Sequence, residues 1–161
     1  MIRRLVPEDA VELARLLATN KTFLAPFEPE HAEDFFTADG QRARIEAFEH
    51  LYAILDGDVL AGMISLSNAV RGPFQSAHLG YWVDETRKGR GLATRALAEL
   101  VRHSFADLGL HRLEAATLVD NVASQRVLEK NGFTRIGIAA RYLRIAGVWR
   151  DHVLFQRTVE D

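Results

Sequence analysis

Cysteine is missing from all 161 residues, which removes disulfides, thiolate metal ligands and a thiol nucleophile together. No apolar run approaches the roughly 20 residues that a membrane-crossing helix needs. The opening Met1-Ile2-Arg3-Arg4-Leu5-Val6-Pro7 passes straight into polar residues, unlike a secretory leader. An excess of one charge is lacking too. The 20 basic and 22 acidic side chains leave a formal −2, so nothing draws the whole molecule to nucleic acid. The six histidines are scattered, with no His-x-x-x-His or His-Glu-x-x-His spacing, and no metal site is expected. Together these absences point to the cytoplasm, without a membrane or nucleic-acid partner.

What is present suits one domain over 1–161: 48% hydrophobic residues and no linker, repeat or low-complexity run. Ile2–Leu5 reads as a strand, and Pro7-Glu8-Asp9 opens a helix to about Ala18, with Val11, Leu13, Ala14, Leu16 and Leu17 as its apolar face. Asn20 to Ala38 breaks up into a short helix plus loop, and a second main helix runs from Thr37 to about His50. Strands are expected at Leu51–Leu55 and Val59–Ala69 around an Asp56-Gly57-Asp58 turn, and at Ser76–Val83 after Gly72-Pro73. A helix from about Leu92 to Leu108, a strand Arg112–Val119 and a helix Asn121–Lys130 follow, the last ended by Asn131-Gly132. Strands near Thr134–Leu143 and Trp149–Thr158, joined at Ala146-Gly147, close the chain. Trp149 is expected in the core. This order gives an α/β (α+β mixed) fold: about seven strands, mostly antiparallel, flanked by about four helices.

The segment Val83-Asp84-Glu85-Thr86-Arg87-Lys88-Gly89-Arg90-Gly91-Leu92-Ala93-Thr94 joins an apolar strand to an amphipathic helix. A helix N-terminus carries unpaired N–H groups and partial positive charge, and Gly89 and Gly91 let main chain approach an anion. Arg87, Lys88 and Arg90 add cations where a helix dipole disfavours them, unless a phosphate answers them. A flexible turn with solvated basic residues is the plainer alternative. No Gly-Lys-Ser/Thr follows a four-residue gap, so this is not a nucleoside-triphosphate loop. Gly89-Arg90-Gly91-Leu92-Ala93-Thr94 approaches a dinucleotide fingerprint but ends in Thr, follows several antiparallel-looking strands, and leaves Glu114 early in the next one.

Leu79-Gly80-Tyr81-Trp82-Val83 with Lys88-Gly89-Arg90-Gly91-Leu92-Ala93 resembles motif A of the GCN5-related N-acetyltransferase (GNAT) superfamily, Gln/Arg-x-x-Gly-x-Gly/Ala. Lys88 departs from Gln/Arg at the first position. Asp120-Asn121-Val122-Ala123-Ser124-Gln125-Arg126-Val127-Leu128-Glu129-Lys130-Asn131-Gly132-Phe133 is similar to the Asn-x-x-Ser-x-x-x-x-Glu-Lys-x-Gly-Phe signature of the RimJ/RimL-like branch. On residue chemistry alone, Asn121 caps a helix whose first turn displays Ser124.

The resemblance implies a GNAT fold that binds acetyl-CoA through Tyr81, Trp82, Val83, Lys88, Gly89, Arg90, Gly91, Leu92, Ala93 and Thr94, with Asn121 and Ser124 near the thioester. It further implies direct amine attack, which needs no cysteine, and a splay between the strand at Tyr81-Trp82-Val83 and its neighbour. Ser124 is the candidate to hydrogen-bond or protonate the departing sulfur. His78, at a position where relatives carry Glu, is a candidate base, and Glu85 another; a sheet-surface histidine and a solvated carboxylate are the plainer alternatives. Glu28, Glu30, Glu33 and Asp34 form an acidic cluster able to attract a cationic amine, or simply a solvated helix start. The expected acceptor is a protein N-terminal α-amine of the ribosomal-protein type. A small amine, amino acid or antibiotic acceptor, a non-catalytic acyl-CoA sensor, and a nicotinamide oxidoreductase are the alternatives. A homodimer is one assembly this allows.

Overall fold

The computed structural model describes residues 1–159. Its strands are β1 (Ile2–Arg4), β2 (Leu51–Asp56), β3 (Val59–Val70), β4 (Ser76–Val83), β5 (Arg112–Leu118), β6 (Thr134–Ile145) and β7 (Val148–Thr158). Its helices are α1 (Ala10–Thr19), α2 (Lys21–Leu24), α3 (Ala38–Ala47), α4 (Leu92–Ala106) and α5 (Val122–Lys130). The strands form one sheet in the order β1-β2-β3-β4-β5-β7-β6, and every pairing except β4–β5 is antiparallel. The described residues thus hold five helices, and the short helix expected after residue 20 is the single turn α2. No described helix is long and apolar enough to cross a membrane.

Each face of the sheet carries its own core. On one, Leu97 and Leu100 of α4 and Leu128 of α5 meet Leu113, Phe133 and Phe155. On the other, Leu13 and Leu17 of α1 and Ile45 of α3 meet Ala53, Met63 and Trp82. The alternation of β4 therefore sends Trp82 to the α1/α3 side and Tyr81 to the α4/α5 side.

Local chemistry moves several expected boundaries. Pro7–Asp9 is a separate 3₁₀ turn, where the Asp9 carboxylate accepts from Val6 N–H at 2.9 Å and grips Arg3 at 2.7 Å. Val11 falls outside the apolar face of α1 and is exposed, while Ala10 is buried in its stead. Thr37 caps α3 by accepting from Gly40 N–H at 3.1 Å, and α3 stops at Ala47, three residues short of His50.

Trp149 is not in the core but 59% exposed. It lies in the outer stretch of the β6–β7 hairpin, where burial along β7 begins only at His152 and Val153. Register shifts at Arg135/Gly137 and Ala139/Leu143 bend β6. There Arg141 takes a left-handed φ of 50° and its N–H donates to Asp151 Oδ1 at 2.8 Å.

Strands β4 and β5 pair only through Ser76–Arg112, Ala77–Leu113 and His78–Glu114. Beyond that point β4 continues to Val83 against β3, and β5 continues to Leu118 against β7. The middle of the sheet opens into a wedge.

Candidate active site

The wedge leaves main-chain groups without ladder partners. Asp84 N–H donates to Ala61 O at 2.7 Å, so antiparallel alternation turns the main chain of Trp82 and Gly80 toward β3. The N–H and C=O of Tyr81 and Val83 turn the other way, into the gap. Of the three neighbours expected to meet a ligand, Trp82 presents neither main chain nor side chain to it.

At the wide end of the wedge, Gly89 and Gly91 adopt φ of 79° and 75°. Gly91 is the N-cap of α4 and no side chain caps that helix, so the first-turn N–H groups of Leu92, Ala93 and Thr94 lack intrahelical partners. Nothing lies within 4 Å of where a Cβ on Gly89 would sit, leaving room against the turn. These features suit an anion-bearing ligand held by main chain.

The three cations of the turn have carboxylate partners within the protein. Asp56, brought alongside by β2, accepts from Arg87 at 2.5 Å and from Arg90 at 3.2 Å, and Lys88 pairs with Glu85 at 3.4 Å. The turn's unpaired donors are therefore its main-chain amides more than its charged side chains.

The approach to the turn is fastened from afar. The Asp84 carboxylate accepts from Asn20 Nδ2 at 3.0 Å and Thr86 Oγ1 at 2.7 Å, and Asn20 Oδ1 accepts from Glu85 N–H at 2.9 Å. Burial pushes the Asp84 pKa up, but hydrogen bonds from Thr86 and Asn20, with Arg87 nearby, outweigh it and leave the value below the ordinary carboxylate range. Its stabilising contribution is present above the unfolded value near 3.9 and is lost as pH falls through the depressed folded value. Asp84→Asn should lower Tm by about 3–6 °C at pH 7, from about 1.5 kcal/mol for a charged hydrogen bond. The difference from the native protein should narrow below about pH 4, as thermal melts across pH 3–7 would show.

Asn121 caps α5 by accepting from Ser124 N–H at 3.2 Å. Across the wedge, Tyr81 Oη stands 2.8 Å from Ser124 Oγ and donates to Ser124 O at 3.2 Å. Burial pushes the Tyr81 phenol up to about 12, against the opposing hydrogen bond to Ser124. The sequence pointed to the main chain of Tyr81; its side chain was foreseeable only once Trp82 was assigned to the other face.

His78 lies at the apex of the wedge. Its Nε2 meets Glu114 Oε2 at 2.5 Å, and Arg112 holds the other oxygen of Glu114. It faces the α1/α3 side, three residues or about 10 Å along β4 from Tyr81. Glu85 is set apart: its carboxylate is exposed and its partner is Lys88.

The acidic cluster divides. Burial raises the Glu28 pKa, opposed by His31 at 3.2 Å and by Arg44, while Glu33 is exposed beside Lys21 at 3.3 Å. Glu28 O also accepts from Ala146 N–H at 3.0 Å, joining this segment to the β6–β7 turn. A cavity of about 380 Å³ is bounded by Val119, Asp120, Trp149, Arg150 and Asp151, directly before Asn121.

A family profile described as "Acetyltransferase (GNAT) domain" matches residues 1–134. The [Ribosomal protein uS5]-alanine N-acetyltransferase of Escherichia coli is 33% identical, covering 100% of this chain and 88% of that protein. The structure of a ribosomal-protein-S5-alanine acetyltransferase from Vibrio fischeri superposes with a TM-score of 0.94 at 32% identity, covering 99% and 93% of the two chains. That of Mycobacterium smegmatis RimJ in complex with CoA-disulfide gives 0.91 at 31%, covering 98% and 81%.

Proposed function

Because the chain belongs to the GNAT acetyltransferase family and is an acetyl-CoA-dependent N-acetyltransferase, we propose that its acceptor is the N-terminal α-amine of a protein, of the ribosomal type. The wedge between β4 and β5 carries the catalytic part of this reading: it offers an extended acyl thioester free main chain at Tyr81 and Val83, beside an uncapped helix N-terminus. Full-length similarity to enzymes named for ribosomal-protein alanine supports the acceptor class.

In this scheme the diphosphate rests on the amides from Gly89 to Thr94. The N–H groups of Tyr81 and Val83 hold the acyl arm, and one of them polarises the carbonyl. Lys88 and Arg90 add charge at the rim. Asn121 fixes the first turn of α5, and Ser124 offers its hydroxyl to the departing sulfur. The acceptor amine attacks directly; its nitrogen–carbon bond forms as the carbon–sulfur bond breaks, the electron pair leaving with sulfur.

An α-amine titrates near 7.7–8.0 against about 10.4 for lysine, so an N-terminal acceptor needs little help in becoming neutral. His78 supplies that help, with Glu114 holding the ring through Nε2 and leaving Nδ1 to the acceptor. His78→Gln should lower kcat/KM at pH 7 by up to about tenfold, the most that neutralising an amine titrating near 7.7–8.0 can return, read from initial rates; an unchanged value would return the proton to water.

The decisive assay follows thiol release from acetyl-CoA with matched acceptors: peptides bearing a free N-terminal alanine or serine, the same peptides N-acetylated, and free amino acids. Turnover confined to free-amine peptides is expected. Turnover on free amino acids alone would overturn the acceptor class, and thiol release with none of them would leave a CoA-binding protein without this activity.

A further inference from the structure

Building on the role given to Ser124 above, we propose that Tyr81 is a positioning residue that determines where the Ser124 hydroxyl proton points. The Tyr81 phenol has one proton and two oxygens within reach, Ser124 Oγ at 2.8 Å and Ser124 O at 3.2 Å. When Tyr81 donates to the carbonyl, Ser124 gives its own proton to Tyr81 Oη, and Oγ shows only lone pairs to its surroundings. When Tyr81 donates to Oγ, the serine proton is released toward a ligand. A hydroxyl has one proton to give, so the two arrangements are mutually exclusive.

The first arrangement satisfies both hydroxyls with protein partners alone. The second is favoured by negative charge on a nearby sulfur, because an O–H donor stabilises a thiolate and lone pairs repel it. Both end points are fixed by the fold. Ser124 N–H is pinned to Asn121 Oδ1 at 3.2 Å, and Tyr81 sits on β4 with its ring packed against the α4/α5 core.

Tyr81 is not the proton source. Its phenol, pushed up to about 12, stays protonated across the range in which a thiol near 8.5 ionises. The proton that completes the thiol comes from the acceptor nitrogen, which is positively charged after attack and must lose one. Tyr81 and Ser124 therefore begin and end the cycle protonated, and their contribution is the direction of a hydrogen bond.

The test is the ionisation of CoA bound to the protein, followed by thiolate absorbance against pH, together with kcat and KM. The native protein should lower the bound thiol's pKa relative to free CoA, and Ser124→Ala should return it to the free value. Tyr81→Phe keeps the ring and its packing but removes the hydroxyl. Without the Tyr81 donor on Oγ the serine O–H is no longer polarised toward the sulfur, so the variant should recover at least half of the Ser124→Ala change and lower kcat about tenfold, one hydrogen bond's worth, with KM for acetyl-CoA within about twofold. A merely structural tyrosine would move KM or Tm and leave the thiol's ionisation in place. A Phe variant with the native thiol pKa and kcat overturns the proposal while leaving Ser124 its role. A Ser124→Ala variant with both unchanged overturns the role of Ser124, and this proposal with it.

Discussion

Ser124→Ala should lower kcat by about a hundredfold, the lower range for a group that assists a departing atom, while acetyl-CoA binds with near-native affinity. The separation follows from where the contacts lie. In the proposed scheme affinity comes from main-chain amides in the Gly89–Thr94 turn and from the open edge of β4, and the substitution touches neither. The α5 helix keeps its cap, since Asn121 binds the main-chain N–H of residue 124 and not its hydroxyl. What disappears is the donor facing the sulfur, and the Tyr81 hydroxyl keeps a partner in the carbonyl of residue 124. Single-turnover kinetics with saturating acetyl-CoA, set beside calorimetric Kd values, separate the two quantities. Native turnover in the Ala variant would remove Ser124 from the chemistry.

Gly91→Val should abolish most CoA binding and cost stability as well. Gly91 holds φ at 75°, where a β-branched side chain clashes with its own backbone, at roughly 1–2 kcal/mol. The built Cβ would also stand 3.1 Å from Arg95 Nη1. Relief by rotation to negative φ would swing the following N–H groups away from the mouth of α4. Losing two charge-assisted hydrogen bonds there would cost about 3 kcal/mol, a hundredfold or more in Kd. The thermal stabilisation that CoA confers on the native protein should accordingly vanish at matched concentration. A variant that melts lower in the absence of CoA yet is stabilised by it to the native extent would show that the diphosphate is held elsewhere.

The sequence made plain what is local. The strand-to-helix passage at Val83–Leu92, the cap at Asn121 and the display of Ser124 each depend on residues a few positions apart. The order of strands and helices followed from hydrophobic period and from glycine breaks. Long-range partners stayed hidden. Asp56 pairs with Arg87 and Arg90 from more than thirty residues away, and Asn20 reaches Asp84 across sixty-four. No periodicity encodes either meeting, so the basic triplet looked unopposed. Trp149 misled for another reason: burial of an aromatic is an average tendency, and the first residues of β7 are exposed. The hydroxyl pair of Tyr81 and Ser124 needed the topology, because only the β4–β5 neighbourhood brings a strand residue to the first turn of α5.

The three-residue ladder between β4 and β5 divides the sheet into two leaves joined at one end. A pantetheine arm lying in the cleft would act as a surrogate strand, accepting from amides that the polypeptide leaves unanswered. Acetyl-CoA held in this way would be more than a reactant: it would stitch β1–β4 to β5–β7, and its departure as free thiol would loosen that seam at the moment when the acetylated product must leave.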